Sequence, residues 1–284
     1  MSCQARALLL DADLTLRLGV ITVLDPLPNE VRVRVRWAGV GDADLAVIRG
    51  GADLRAWPAV LGREVMGDVD AVGNGVVGLE PGQPVVLDPR VPCLACQGCA
   101  EDPNACRDPG TLGRSLPGGF AEFVTVPEPM VHDIPESIDG ALAILAAPLA
   151  VALHVIGGLL NGRAPIVLAG YGTVSALINL ELRRSDPERE IVVVERDLTR
   201  AAVAEAHGAT VVDGLELCGE GVIASAKSPP TRFTNQFPLA IQRLVDEPMR
   251  YRSVITEHVA ILRSPARVAS EAHQPRAVGL LLAL

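Results

Sequence analysis

The sequence predicts an α/β protein, with a β-rich first half followed by a shorter unit of parallel strands crossed by helices. Three observations predict it. Up to about Val151 the apolar runs are short and broken by Gly, Pro and Asp, the pattern of strands and turns. From Ile138 to Leu160 the chain becomes rich in Ala and Leu, as a buried helix requires. Beyond it, short wholly apolar runs alternate with helical stretches. That β-α-β-α-β order calls for parallel strands joined by helical crossovers.

Taken in order, Val31–Val35 reads V-R-V-R-V, an alternation that buries one face of a strand and wets the other. Val69–Val72, Val85–Leu87 and Phe120–Val126 are further strands. Pro165–Ala169 is a short buried strand, and Thr173–Arg184 is the helix after a glycine-containing turn. Ile191–Val194, Leu198–Ala206 and Thr210–Val212 give strand, helix and strand. After Asp213 the pattern thins to a strand at Val222–Ala226, a helix at Pro238–Asp246, and strands at Ser253–Leu262 and Ala277–Leu284. The expected division is a first domain of residues 1–155 and 254–284, with residues 156–253 forming the second.

The 284 residues are 49% hydrophobic and 21% charged, enough to bury a sizeable core. Aromatic residues are only 3% and the formal net charge is −9, with no dense basic stripe, which argues against a nucleic-acid partner. No run of 18 consecutive apolar residues suggests a membrane span, and the first residues lack a signal-peptide pattern. The expected setting is the cytoplasm.

Four of the six cysteines, Cys93, Cys96, Cys99 and Cys106, fall within fourteen residues, while Cys3 and Cys218 stand apart. Four thiolates at this spacing suit one tetrahedral zinc with no open position, hence a structural ion. Gly98 and the Pro103–Asn104 bend would let the loop wrap it. Unconnected buried cysteines or an iron–sulfur cluster are the other readings.

Gly170-Tyr171-Gly172-Thr173-Val174-Ser175 follows a buried strand and opens a helix, departing from G-x-G-x-x-G only at its last position. In such a turn the first glycine makes the bend and the second lets backbone approach a pyrophosphate. The third permits close helix packing, which serine nearly satisfies. Glu195, at the end of the next strand, is where a carboxylate would bond the ribose of NAD, while the neighbouring Arg196 leaves NADP open. The other reading is a turn kept only for folding.

The cysteine loop in its β-rich setting, followed by this unit, resembles the zinc-containing medium-chain dehydrogenase/reductase superfamily. Ala38–Leu45, Pro58–Val76, Pro81–Pro89, Gly118–Val126 and Pro148–Val155 carry the resemblance, although the gap between the last two cysteines is one residue shorter than usual. The resemblance implies a GroES-like domain joined to a Rossmann-type domain, here shortened. After Thr210–Val212, the chain passes almost directly to Val222–Lys227, which resembles the family's last Rossmann strand, through which its dimers pair. A homodimer is therefore expected.

In that family a second, catalytic zinc is held at positions that fall here on Gly41, Arg63 and Ala147, with the adjacent acid kept as Glu64. The hydroxyl that relays the proton falls on Ala43. An arginine has no lone pair to give a metal, so no catalytic zinc is expected. The candidate catalytic residues are Asp42, Asp44, Arg63 and Glu64. Arg63 either fills the vacated site beside these acids or binds a substrate carboxylate or phosphate. Asp42 is a candidate general base. His154, in an apolar helical stretch, reads as a core histidine.

The functional expectation is a zinc-independent, NAD(P)-linked oxidoreductase acting on a small carbonyl, alcohol or enone. Non-redox chemistry in the vacated pocket and a non-catalytic partner subunit are the alternatives.

Overall fold

The computed structural model describes residues 2–51, 54, 56–102, 105–159, 164–214, 222–224, 236–260, 265–275 and 277–284. Pro103, Asn104, Leu160, Cys218 and residues 225–227, singled out from the sequence, lie outside them.

The chain opens with β1 (Ser2–Leu10), β2 (Leu16–Leu24) and β3 (Glu30–Gly39), then α1 (Asp42–Ile48), β4 (Ala59–Val60), β5 (Glu64–Val72) and β6 (Pro84–Leu87). The strands β1, β2 and β4 form one small antiparallel sheet. In β3 the alternation works as the sequence implies: Val31, Val33 and Val35 are buried, and the intervening arginines face outward. There Arg32 pairs with Asp70 at 2.7 Å and Arg36 with Asp68 at 3.3 Å, on the neighbouring β5. Cross-strand pairs of opposite charge support the register that the buried valines set.

A cysteine-bearing excursion follows, with β7 (Arg90–Val91), α2 (Gln97–Glu101) and β8 (Gly110–Thr111). The chain then forms β9 (Phe123–Pro127), β10 (Val131–Asp133), α3 (Gly140–Ala143) and α4 (Ala146–Leu159). The run Gly140–Gly157 is long and apolar enough to cross a membrane by length and composition, but 72% of it is buried inside the protein. Its second part packs against neighbouring helices in the core, which explains its hydrophobicity without a bilayer.

Next come β11 (Ile166–Ala169), α5 (Thr173–Ser185), β12 (Ile191–Val194), α6 (Leu198–Ala206), β13 (Thr210–Val212) and β14 (Val222–Ala224). The sheet order is β13-β12-β11-β14 and every pairing is parallel. This is the first half of a doubly wound sheet plus one strand in the fourth slot, beside β11. No fifth or sixth parallel strand joins it among the described residues.

The chain ends with α7 (Phe237–Asp246), α8 (Pro248–Arg252), β15 (Ile255–Ala260), α9 (Pro265–His273) and β16 (Gly279–Ala283). Strand β16 pairs antiparallel with β3, so the last strands enter the sheet that also holds β5, β6, β9 and β10. Two hydrophobic clusters result, one between α4, α5 and the parallel sheet, the other inside the β-rich part.

Candidate functional site

Three places carry the chemistry, and the cysteine loop is the most complete. The Sγ atoms of Cys93, Cys96, Cys99 and Cys106 all lie within 4.8 Å of one another. Cys93 and Cys99 are 3.7 Å apart and Cys96 and Cys99 3.5 Å. Zinc–sulfur bonds of about 2.3 Å in a tetrahedron place sulfurs roughly 3.8 Å apart, so the donor set fits one zinc. The loop is also braced around the sulfurs. The Cys93 amide donates to Cys106 Sγ at 3.3 Å, and Arg90, buried beneath, donates to the Cys106 carbonyl at 3.1 Å. Backbone amides of Arg107 and Cys99 hold the Cys96 thiol down to about 6, favouring the thiolate a metal needs. Gly98 is required because a Cβ there would lie 2.2 Å from the Ala105 carbonyl oxygen.

The second place is the pocket at the start of α1 and β5. Gly39 and Glu64 face each other across the β3–β5 ladder. That register turns the Glu64 carboxyl toward two glycines: a Cβ on Gly39 would sit 2.0 Å from Oε2, and one on Gly41 2.9 Å from Oε1. The carboxyl thus lies where larger side chains are absent. Asp44 is fully buried and accepts hydrogen bonds from the Gly41 and Gly62 amides, both at 3.3 Å. Arg63 Nε stands 3.7 Å from Asp44 Oδ1. Arg63 thus lies within ion-pair reach of a local acid, although its buried Nε makes no hydrogen bond.

Electrostatics set the pocket's protonation. Burial, then the negative charges of Asp44 and Asp42, push the Glu64 carboxyl up to about 8 against the pull of Arg63. It holds its proton at neutral pH. Burial also raises Asp44, opposed by Arg63 and the two amides. Ala147 is buried on α4, Ala43 is exposed on α1, and neither offers a ligand atom. His154 is half-buried on α4. Asp44, Arg63 and Glu64 come together, and the Asp42 carboxylate is near enough for its charge to raise Glu64 while its oxygens face another element.

It turns toward the third place, the glycine turn. Gly170 has φ +86°, the left-handed conformation that favours glycine, and open space where a Cβ would stand. Gly172 caps α5, and the three atoms nearest its Cβ position belong to Asp42, with Oδ2 at 2.9 Å and Oδ1 at 3.3 Å. Thr173 is buried and donates its hydroxyl to the Val278 carbonyl at 2.8 Å. Val174 packs against the core and Ser175 is buried in the first turn, the small side chain that close packing allows. Glu195 is fixed beside the turn. It accepts from the Tyr171 amide at 3.0 Å and from the amides of Arg196 and Asp197 at 2.8 and 3.0 Å. The Arg196 side chain bends back to the Asp213 carbonyl.

Sequence reasoning missed a relay beneath the turn. Asn179 Nδ2 donates to the Tyr171 hydroxyl at 2.9 Å, and that hydroxyl lies 2.8 Å from His207 Nδ1. His207 Nε2 is 2.8 Å from Ser253 Oγ. Both His207 nitrogens are thereby engaged, one with the tyrosine hydroxyl and one with the serine, and the relay braces the turn. Only the tyrosine inside the glycine motif could have signalled it.

A four-thiol loop on a β-rich domain, joined to a strand–glycine-turn–helix unit, is an arrangement similar to that of alcohol dehydrogenases. Residues 27–136 match the alcohol dehydrogenase GroES-like domain. The starvation-sensing protein RspB of Escherichia coli K12 is 32% identical over 186 residues, covering 65% of this chain and 55% of that protein. D-altritol 5-dehydrogenase of Agrobacterium fabrum is 31% identical over 206 residues, covering 70% and 61%. The chain spans about half the length of the first curated relatives it matches. In fold it is similar to an Escherichia coli CFT073 short chain alcohol dehydrogenase (rspB) complexed with NADH, with TM-score 0.84, 23% identity and 99% of each chain covered. It is similar also to 2R,3R-butanediol dehydrogenase of Bacillus subtilis, with TM-score 0.79, 20% identity and 99% of each chain covered. Residues 27–136 thus carry an alcohol dehydrogenase GroES-like domain, and over about two thirds of its length the chain is similar to dehydrogenases of the medium-chain type.

Proposed function

We propose that the chain is a zinc-independent, NAD(P)-linked oxidoreductase of the medium-chain type, acting on a small carbonyl, alcohol or enone. The observation that carries this reading is the Glu195 carboxylate, locked beside an intact strand–turn–helix unit. Gly170, Gly172, Thr173, Val174, Ser175, Glu195 and Arg196 would hold the dinucleotide, which supplies or accepts the hydride when bound. The rest is the protein's own work. Glu64, protonated at neutral pH, can give a hydrogen bond and then a proton to a carbonyl oxygen, the polarising role otherwise left to a Lewis acid. Asp44, tied to Arg63 and two amides, fixes the pocket wall. The same reading takes the protein as a cytoplasmic homodimer with its reduced thiols on zinc.

The four-strand sheet favours a second reading, non-redox chemistry (proton transfer, elimination or rearrangement) in the vacated pocket with Asp42, Arg63 and Glu64. Titrating the purified protein with NADH and NADPH, followed by fluorescence and calorimetry, separates the two. Binding below about millimolar supports the redox reading. Absence of binding at millimolar cofactor sinks it.

A further inference from the structure

Arginines elsewhere in the chain spend their donors. Arg32 bonds Asp70 at 2.7 Å, and Arg183 donates to the carbonyls of Pro187, Arg189 and Gly208 at 2.8, 2.7 and 2.6 Å. Arg63 keeps its own unspent. Among the described residues it makes no hydrogen bond, and its buried Nε has no partner. Its one ion pair there is the 3.7 Å approach to Asp44. Asp44 already accepts from the Gly41 and Gly62 amides, and burial raises it, which weakens its hold on the cation. The Arg63 side chain keeps 22% exposure, so the guanidinium is half-buried yet reachable from solvent. Donors held at a half-dry position without acceptors carry a cost that a bound anion would remove.

The surroundings select the anion. Glu64, the next residue, keeps its proton at neutral pH, so it does not compete for Arg63 and can itself donate a hydrogen bond. The charges of Asp44 and Asp42 both act on Glu64, so two acids stand near one cation. That balance suits a monoanion better than a dianion, and the guanidinium fork matches a planar carboxylate. Arg63 and Glu64 are consecutive and share Asp44 as a neighbour, which places anchor and proton donor close together. A ligand using both needs its carboxylate near its reacting carbon.

We propose that Arg63 anchors a substrate carboxylate, and that the substrates are small 2-oxo or 2-hydroxy acids whose carbonyl or hydroxyl lies toward Glu64. The proposal names the substrate class of the oxidoreductase reading above and rests on that reading for its chemistry.

Calorimetry on the full chain tests it, with pyruvate, the uncharged pyruvamide and the dianion glycolaldehyde phosphate as probes. Wild type should bind pyruvate roughly tenfold more tightly than pyruvamide. Arg63→Gln should lose that preference, and Arg63→Lys, which keeps the charge without the fork, should keep part of it. Asp44→Asn separates binding from a purely structural role. Removing the competing acid should tighten pyruvate severalfold, whereas an arginine kept only for Asp44 would gain nothing. Should Arg63→Gln unfold, the double variant Arg63→Gln, Asp44→Asn removes both charges of the pair and must lose the preference too. Equal affinity for pyruvate and pyruvamide in wild type, or no binding of either at tens of millimolar, overturns the proposal. A preference that survives Arg63→Gln does the same, and glycolaldehyde phosphate binding more tightly than pyruvate overturns the carboxylate assignment. NADH and NADPH titrated in parallel keep the two readings apart. Cofactor binding without a carboxylate preference overturns this proposal alone, and the reverse overturns the oxidoreductase reading alone.

Discussion

The cysteine loop and the pocket around Glu64 began from comparable raw material, a few polar groups converging on a small space, and they solve different problems. In the loop, four identical soft ligands converge within 4.8 Å, and the backbone supplies amides to their sulfurs. In the pocket the donors are mixed, an arginine stands among acids, and burial rather than coordination sets the charge. The contrast teaches that a metal site needs its whole ligand set, whereas a proton site needs only one carboxyl and a dry wall. The fold holds both in place without demanding the same ions in each.

Ways to break the comparison follow from its terms. The largest effect should come from the loop: Cys99→Ser, or stripping the metal with a chelator, should take bound zinc from one per chain toward none. Melting temperature should fall by about 10 °C, because binding energy at such sites is folding energy. Calorimetry with metal analysis checks it. Arg63→Ala should come next. It strands Asp44, buried with only amide partners, and should destabilise by about 1 to 3 kcal/mol after allowance for the arginine's partial exposure, read by urea unfolding.

Glu64→Gln tests the proton site through pH. The folded carboxyl titrates at about 8, above its ordinary value of 4.5. Its contribution to stability is therefore present below 4.5 and lost as pH rises through about 8. Glu64→Gln should melt higher than wild type at pH 9 and about equally at pH 5. If Glu64 is the acid in carbonyl reduction, wild-type turnover should also decline above about pH 8. The smallest effect belongs to His132, stacked on Phe237 with rings 4.6 Å apart and lowered by burial. A histidine kept neutral in the fold loses stability as pH falls below the unfolded value, about 6.5. His132→Phe should flatten that acid limb, read by melting temperature between pH 5 and pH 8.

Much of this was legible in the residues. V-R-V-R-V is legible as a strand because it buries every second residue, and four cysteines in one loop mark a metal-binding geometry. The parallel unit was readable from its apolar runs and single glycine turn. The helices α1 and α9 escaped. The seven residues of α1 are too few to show a helical period, and Pro265–His273 buries only Val268, Glu271 and Ala272, too small a face to show one. Phe120–Val126 was expected to be strand throughout, yet the strand starts at Phe123. Its first residues instead bond to β1 and to Leu61 in a separate turn. The raised Glu64 and the reach of Asp42 to Gly172 arise from tertiary contacts, and no local pattern encodes those.

The most direct test is zinc counting on the purified protein by mass spectrometry, beside the triple variant Gly41→Cys, Arg63→His, Ala147→Cys. One zinc per chain is expected for the natural sequence and up to two for the variant, whose cysteine at position 41 would adjoin Glu64. Two zinc ions in the natural protein would overturn the reading of Gly41, Arg63 and Ala147.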